Sequence, residues 1–336
     1  MDRFVSCPAP DQDRPSLVTR SALRAALMLA LVVAGCQQEP PKSSTAPATP
    51  PVTSEKPHEN DAKSENPVET PADNPADVAA LKAAGATLHS SGGSVVVVDL
   101  SDQNGTDEIL LHLKGLGALK TLILAGPSYS PAGLAHLGEV PQLKRLELEA
   151  TRADDSVLAA LAPLVNLELL KLFKTDIRDD GLKHLVALVR LKDLDLRRTL
   201  TGDAGVANLK GLTSLKALKL QDTRVTEACL PDVCGLPRLE GLGLSGTNFG
   251  DSALKKIGTL TRLRSLQLDD TLITDAGLAN LEGLKNLDVV HLRRTHVGDA
   301  GLAHLAGLSK MRILMLRDTL VGDAGLAHLA GMSHLE

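Results

Sequence analysis

The chain repeats itself every 24 residues. "TLITDAGLANLEGL" fills 271–284, "THVGDAGLAHLAGL" fills 295–308 and "TLVGDAGLAHLAGM" fills 319–332. Leu143, Leu167, Leu191, Leu215, Leu239, Leu263 and Leu287 each open such a unit, and none carries an insertion. The register runs back through Leu119 to Val95 and forward to Met311, so ten units span Val95 to His334 and an eleventh would start at Leu335. A fixed period of this length makes each unit one supersecondary element that must stack on copies of itself to bury its apolar side.

The common pattern is LxxLxLxxTxIxDxGLxxLxxLxx; positions below count from its first Leu. In "LRSLQLDDT" (263–271) apolar residues stand at positions 4 and 6 with polar residues at 3, 5 and 7. Period two predicts a strand with one buried face. In "DAGLANLEGL" (275–284) Leu278, Leu281 and Leu284 are three apart, the stripe of a short α- or 3₁₀-helix. Asp275 or Thr274 suits a helix N-cap, and Gly283 a helix end. Strand, turn, helix and turn make one coil of a solenoid.

The pattern resembles the leucine-rich repeat family over about residues 95–336, and "DAGLAxL" is most similar to the short 24-residue GALA-type and cysteine-containing subclasses. The resemblance implies an α/β fold: a horseshoe with a parallel β-sheet on the concave face and short helices on the convex face. In the family an Asn at position 9 forms a ladder to backbone groups of neighbouring coils. Here that position is Thr151, Thr175, Thr199, Thr223, Thr247, Thr271, Thr295 and Thr319, whose hydroxyls can take over part of such a ladder. Gln103 and Pro127 interrupt the column, so the first two coils should be less regular.

The N-terminal third is different in kind. "AALMLALVVAG" (25–35) is a short apolar run behind Arg20 and Arg24, too short for a stable transmembrane helix and suited to a signal-peptide core. Its end, "VAGC", resembles the lipobox of bacterial lipoproteins, which implies acylation of Cys36 after cleavage of residues 1–35. Val33 stands where Leu is commoner, and an ordinary signal peptide with a chance Cys is the alternative. Val18, read as an initiator, would give a better-proportioned signal. Residues 36–74 hold the anchored Cys and a Pro-, Ser-, Thr- and Glu-rich tract with almost no large apolar residue, a composition that cannot offset the entropy of ordering. It reads as a disordered stalk able to reach on the order of 100 Å. "PADVAALKAAGATL" within residues 75–94 reads as an amphipathic helical cap, with Val78, Leu81 and Leu88 toward the first coil. The tenth coil has no such cover for Leu314 and Leu316, leaving a strand edge through which a homodimer could form.

Composition narrows function. The formal net charge of −5 argues against nucleic acid as a partner. With no Trp, one Tyr and three Phe, the interior must be filled by Leu, and carbohydrate stacking has few rings to use. No GxSxG, HExxH, GxxxxGK[ST] or CxxC occurs, so the sequence offers no enzyme constellation and no cofactor motif. His112, His136, His184, His304 and His328 share position 18 and resemble a metal ladder on paper, but a solvated helix face explains them better than nitrogens about 2 Å from one ion. Cys229 and Cys234 are five apart with Pro231 between them, a poor redox pair.

Function must then sit where units differ. Two clusters on the exposed sheet positions stand out. One is Lys171, Phe173, Lys174, Arg197 and Arg198, in which an exposed Phe among cations resembles an interface anchor. The other is His291, Arg293, Arg294, His296 and Arg317 beside Asp269 and Asp270. The plain alternative for both is charge that keeps neighbouring strands paired and solvated. The sequence thus reads as a bacterial lipoprotein, lipid-anchored in the cell envelope at the outer membrane or cell surface, that binds a protein ligand without catalysis. A structural spacer or self-associating module, a cell-wall carbohydrate binder and, last, an effector like the F-box GALA proteins are the alternatives.

Overall fold

The computed structural model describes residues 72–102 and 105–336; the signal peptide, Cys36, Gln103 and nearly all of the stalk lie outside the described residues. From Pro75 onward, eleven strands form a single sheet in strict sequence order. From the second strand on every pairing is parallel and advances by one repeat: Ser265 pairs with Val289, and Val289 with Ile313. The architecture is the expected α/β leucine-rich-repeat solenoid.

Each coil follows from its Leu columns. In the unit starting at Leu263 the strand is Ser265–Gln267, with Leu266 and Leu268 fully buried. The helix Asp275–Leu278 continues into a 3₁₀ turn, Ala279–Leu281, which puts Leu278, Leu281 and Leu284 on one inward stripe. Leu287 then opens the next coil, also fully buried. Flat Leu layers of equal volume stack without large rings. Two of the chain's four aromatic residues are nonetheless core: Tyr129 and Phe249, both at position 11 and fully buried. Tyr129 fits because Gly105 precedes it in that column; a Cβ on Gly105 would lie 2.3 Å from the Tyr129 Oη.

The N-terminal cap is more than a helix. Helix α1 (Pro75–Ala83) starts at Asn74, whose Oδ1 accepts the Ala76 N–H at 3.0 Å, and it buries Leu81 completely, with Val78 packed beside it. Strand β1 (Thr87–Ser91) then turns back antiparallel to β2 (Ser94–Leu100). Residues expected to be only a helical cap thus contribute the one antiparallel strand of an otherwise parallel sheet. The turn is Gly92–Gly93, with φ of +61° and +87°, which two glycines adopt without a Cβ clash. The cap is fastened to the first coil by Asn74 N–H donating to Gly115 O at 2.9 Å and by the contact of His112 Nδ1 with Asp77 Oδ1 at 2.7 Å. At the other end, Leu314 and Leu316 are half-buried where Val290 and Leu292 are fully buried, and Leu320 and Leu326 are exposed.

Two expectations about the ladder residues change. The position-9 threonines do not bridge coils. Each Oγ1 donates to the position-6 carbonyl of its own coil, as Thr175 does to Leu172 O at 2.7 Å and Thr295 to Leu292 O at 2.7 Å. A hydroxyl is too short to reach the next coil once it closes this turn. The bridge is instead the position-13 carboxylate, expected to cap its own helix. Asp155, Asp179, Asp251, Asp275 and Asp299 each accept the position-12 N–H of the next coil, at 2.6–2.8 Å. This explains the "DxG" of the repeat. A Cβ on Gly181, Gly205, Gly277, Gly301 or Gly325 would fall 2.3–2.5 Å from an Oδ1 of the preceding coil. Where the preceding coil has no Asp at position 13, the Gly is dispensable: Val157 follows Pro131 and Ala253 follows Glu227. Cys229 is the exception. It follows Asp203, and there the helix opens instead as a 3₁₀ turn, Glu227–Cys229.

Candidate functional site

The strands of the central coils end at position 5, as in Leu169–Lys171, Asp193–Asp195 and Val289–His291. Lys171 and His291 therefore lie on the sheet. Phe173, Arg197, Asp269, Arg293 and Arg317 at position 7 lie just past the strand ends, on the rim of the exposed face. Position 8 is not extended at all: Lys174, Arg198, Asp270 and Arg294 have φ between +53° and +57°, the left-handed region. The bend lets each position-8 N–H donate to the position-7 carbonyl of the next coil, as Lys174 does to Arg197 O and Arg294 to Arg317 O, both at 2.9 Å. The repeat holds non-glycine residues in a costly conformation by adding one bond per coil.

The first cluster is brought together. The Arg197 guanidinium carbon lies 5.1 Å from the Phe173 ring centroid and that of Arg198 5.7 Å, so a half-buried ring carries two cations over it. Beneath them is a residue that the sequence reading passed over. Asp195 is fully buried and grips Arg197 through both oxygens, with Nε at 2.8 and 3.0 Å and Nη2 at 2.6 Å. That hydrogen bond holds the guanidinium charged, above its ordinary pKa, against the opposing effect of burial. The signal was present in "DLDLRRT": an Asp two before an Arg shares its strand face. Lys171 is likewise committed, its Nζ 2.9 Å from the nearly buried Glu147 and 3.8 Å from Glu149. Arg198 reaches Asp222 at 3.1 Å. The Lys174 side chain is exposed and makes no hydrogen bond or ion pair with any described residue.

The second cluster is largely self-neutralised. Asp269 accepts the Arg293 backbone N–H at 2.7 Å and its Nη2 at 2.7 Å, and the His291 Nδ1 stands 3.8 Å away. Burial pushes the His291 pKa below its ordinary value although Asp269 pulls it up, so this imidazole is neutral near pH 7. Asp270 forms a two-pronged pair with Arg294, which lowers its pKa and raises that of the Arg. Arg317 is the exposed exception, 3.4 Å from Asp318. His296 is exposed and joins neither group; its backbone N–H donates to Ile273 O.

Three of the position-18 histidines meet carboxylates: His112 with Asp77, His136 with Glu139 and His304 with Glu282. Among the described residues no group of three or more His, Cys, Asp or Glu could hold a metal ion. Cys229 is fully buried and its thiol is pushed up to about 12, chiefly by burial; Cys234 is half-buried and also raised.

No family model matches the chain, and no curated protein matches it. Among solved structures it is similar to an internalin (inlF) from Listeria monocytogenes, with 17% identity and a TM-score of 0.42 over 77% of this chain and 92% of that one. It is also similar to the plant peptide hormone receptor RGFR1 in complex with RGF2, with 16% identity and a TM-score of 0.42 over 62% of this chain and 38% of that one.

Proposed function

We propose that this chain is a non-catalytic recognition scaffold that binds a protein through the rim of its sheet around Phe173. The observation that carries the reading is the two-guanidinium cover of that ring. Of the two clusters, this one combines an aromatic side chain with cations not wholly used up by neighbours. The Lys174 side chain has no hydrogen-bond or ion-pair partner among the described residues, and Arg198, apart from the ring itself, has only the exposed Asp222. Aromatic and Arg side chains in this arrangement are the usual energetic centres of protein interfaces. The second cluster, with Asp269 and Asp270 against Arg293 and Arg294, is the weaker candidate because its charges already cancel.

The same reading makes the protein an exported lipoprotein held through Cys36 to the bacterial envelope, with residues 37–74 as a tether. Its support is the "VAGC" sequence and the two acyl attachments that Cys acylation supplies, sufficient for stable anchoring. The test is a crosslinking pull-down from envelope extracts with the full chain as bait, beside Phe173→Ala/Lys174→Glu/Arg198→Glu. Arg197 is left intact there because Asp195 depends on it. A partner captured by the parent and lost with the folded variant supports the reading. The same partners with both baits would shift the function to a spacer or self-associating module.

A further inference from the structure

Positions 24 and 2 flank the start of every strand, on the edge opposite the Phe173 rim. Position 2 is an unbroken row: each backbone N–H donates to the position-2 carbonyl one coil back, from Lys144 to Lys120 O at 2.9 Å through Arg312 to Asp288 O at 2.8 Å. From residue 120 to residue 336 this row carries six Lys or Arg and four Asp or Glu. The neighbouring position-24 row, from residue 118 to residue 334, carries four Lys or Arg and no acid. The edge is therefore net +6 in a chain whose total is −5. Rows about 4.8 Å apart spread this excess over roughly 45 Å.

The opposite edge gives the contrast. Position 13 is acidic in nine of ten coils, but those carboxylates serve the solenoid, accepting N–H groups of the next coil. Of the four position-24 cations, Arg190 and Lys310 each donate to the Asn one coil back in their own row, Arg190 Nη1 to Asn166 Oδ1 at 2.9 Å and Lys310 Nζ to Asn286 Oδ1 at 2.7 Å, bonds that leave their charge unneutralised. The side chains of Arg238 and Arg262 make no hydrogen bond or ion pair with any described residue, and both are exposed. Ser214 and Asn286 at position 24 show that the fold does not need a cation there.

Two further features share this edge. Val165 and Val189, both at position 23 on adjacent coils and each directly preceding a position-24 residue, are 48 and 52% exposed. A hollow of about 590 Å³ is lined by Arg264, Asn286, Asp288, Lys310, Arg312 and His334. A basic edge with small apolar side chains and a headgroup-sized hollow fits an anionic, partly apolar surface.

We propose that this edge docks on an anionic lipid surface, with the position-24 cations against phosphate headgroups and the valines at the headgroup–acyl boundary. Lys and Arg attract anionic leaflets additively within a Debye length. The surface is independent of the Phe173 site and of acylation at Cys36, so its failure would leave the recognition reading intact.

The test is vesicle co-sedimentation of the full chain carrying Cys36→Ser, with phosphatidylcholine alone or with about a third phosphatidylglycerol. The expected result is binding to the anionic vesicles only, lost at high salt. Arg190→Ser/Arg238→Ser/Arg262→Ser/Lys310→Ser, which copies the native Ser214, should weaken it about tenfold or more. Arg238→Ser/Arg262→Ser removes no side-chain hydrogen bond or ion pair among the described residues and should weaken it in the same direction. Val165→Thr/Val189→Thr, copying Thr213 and Thr261, should weaken vesicle binding but not binding to soluble polyphosphate. Equal binding to neutral vesicles, or unchanged affinity in the two cation variants with native circular dichroism, overturns the proposal. Polyphosphate competing fully while the valine variant binds vesicles like the parent also overturns it, in favour of a soluble polyanion.

Discussion

The inter-coil carboxylate should be energetically coupled to the glycine of the next coil, and one double-mutant cycle measures it. Asp251 accepts the Thr274 N–H at 2.8 Å and the Thr274 hydroxyl at 2.6 Å. Asp251→Ala removes both and a first-turn acid. A hydrogen bond to a charged group contributes about 1.5–3 kcal/mol and the helix-terminus charge a few tenths more; partial exposure of these groups brings the loss to about 2–3 kcal/mol. Gly277→Ala places a Cβ 2.3 Å from the same Oδ1, so the carboxylate must leave and the cost is again about 2–3 kcal/mol. In the Asp251→Ala background the carboxylate is gone, and alanine improves helix propensity by about 1 kcal/mol. The second substitution should then be neutral or stabilising apart from the Leu254 Cδ1 contact at 3.1 Å, giving a coupling of about 2–3 kcal/mol. Urea unfolding of the four proteins reads it. Additive losses would refute the idea that the Gly exists to admit the Asp.

Other consequences follow from the rim and the core. Ala150→Gly relieves a φ of +54° while keeping the N–H bond to Phe173 O, so it should raise stability by about 0.5–1 kcal/mol, read as a higher melting temperature. Arg197→Ala leaves the buried Asp195 with only the backbone N–H of residue 197 and Lys219 at 4.0 Å, and should cost about 2–4 kcal/mol, whereas Arg198→Ala should cost under about 1 kcal/mol; equal losses would contradict the geometry. With its thiol pushed up to about 12, Cys229 should resist iodoacetamide at pH 8 in the native protein and react fully in denaturant, by mass spectrometry.

What the sequence disclosed depends on the range of each interaction. Leu266, Leu278 and Leu284 could be placed inside because a strand and a helix turn impose their own periods. The β1–β2 hairpin was signalled by "SSGGS" but masked by the helical reading of the preceding residues. The Asp275 carboxylate was read as a cap because Asp at a helix start usually is one, but its partner, Gly298 N–H, is 23 residues away and visible only once coils are stacked. The clue was the pairing of Val157 with Pro131, a Gly lost where an Asp is lost. The rim residues were read as exposed sheet positions, yet positions 7 and 8 lie past the strand ends, and Lys174 and Arg198 belong to a left-handed bend that no pattern of polar and apolar residues encodes. Asp195 escaped notice because an alternating strand places its position 5 outward; it is buried by the Arg197 that covers it.

The central claim is that recognition occurs at the Phe173 rim. A photo-crosslinking residue placed at Lys174, whose exposed side chain has no hydrogen bond or ion pair to lose among the described residues, tests it most directly when compared with one at Ala279, exposed on the helical side. In intact envelopes the account predicts a discrete crosslinked protein from position 174 that Phe173→Ala abolishes, and none from position 279. The same product from both positions, or a product indifferent to Phe173, would contradict it.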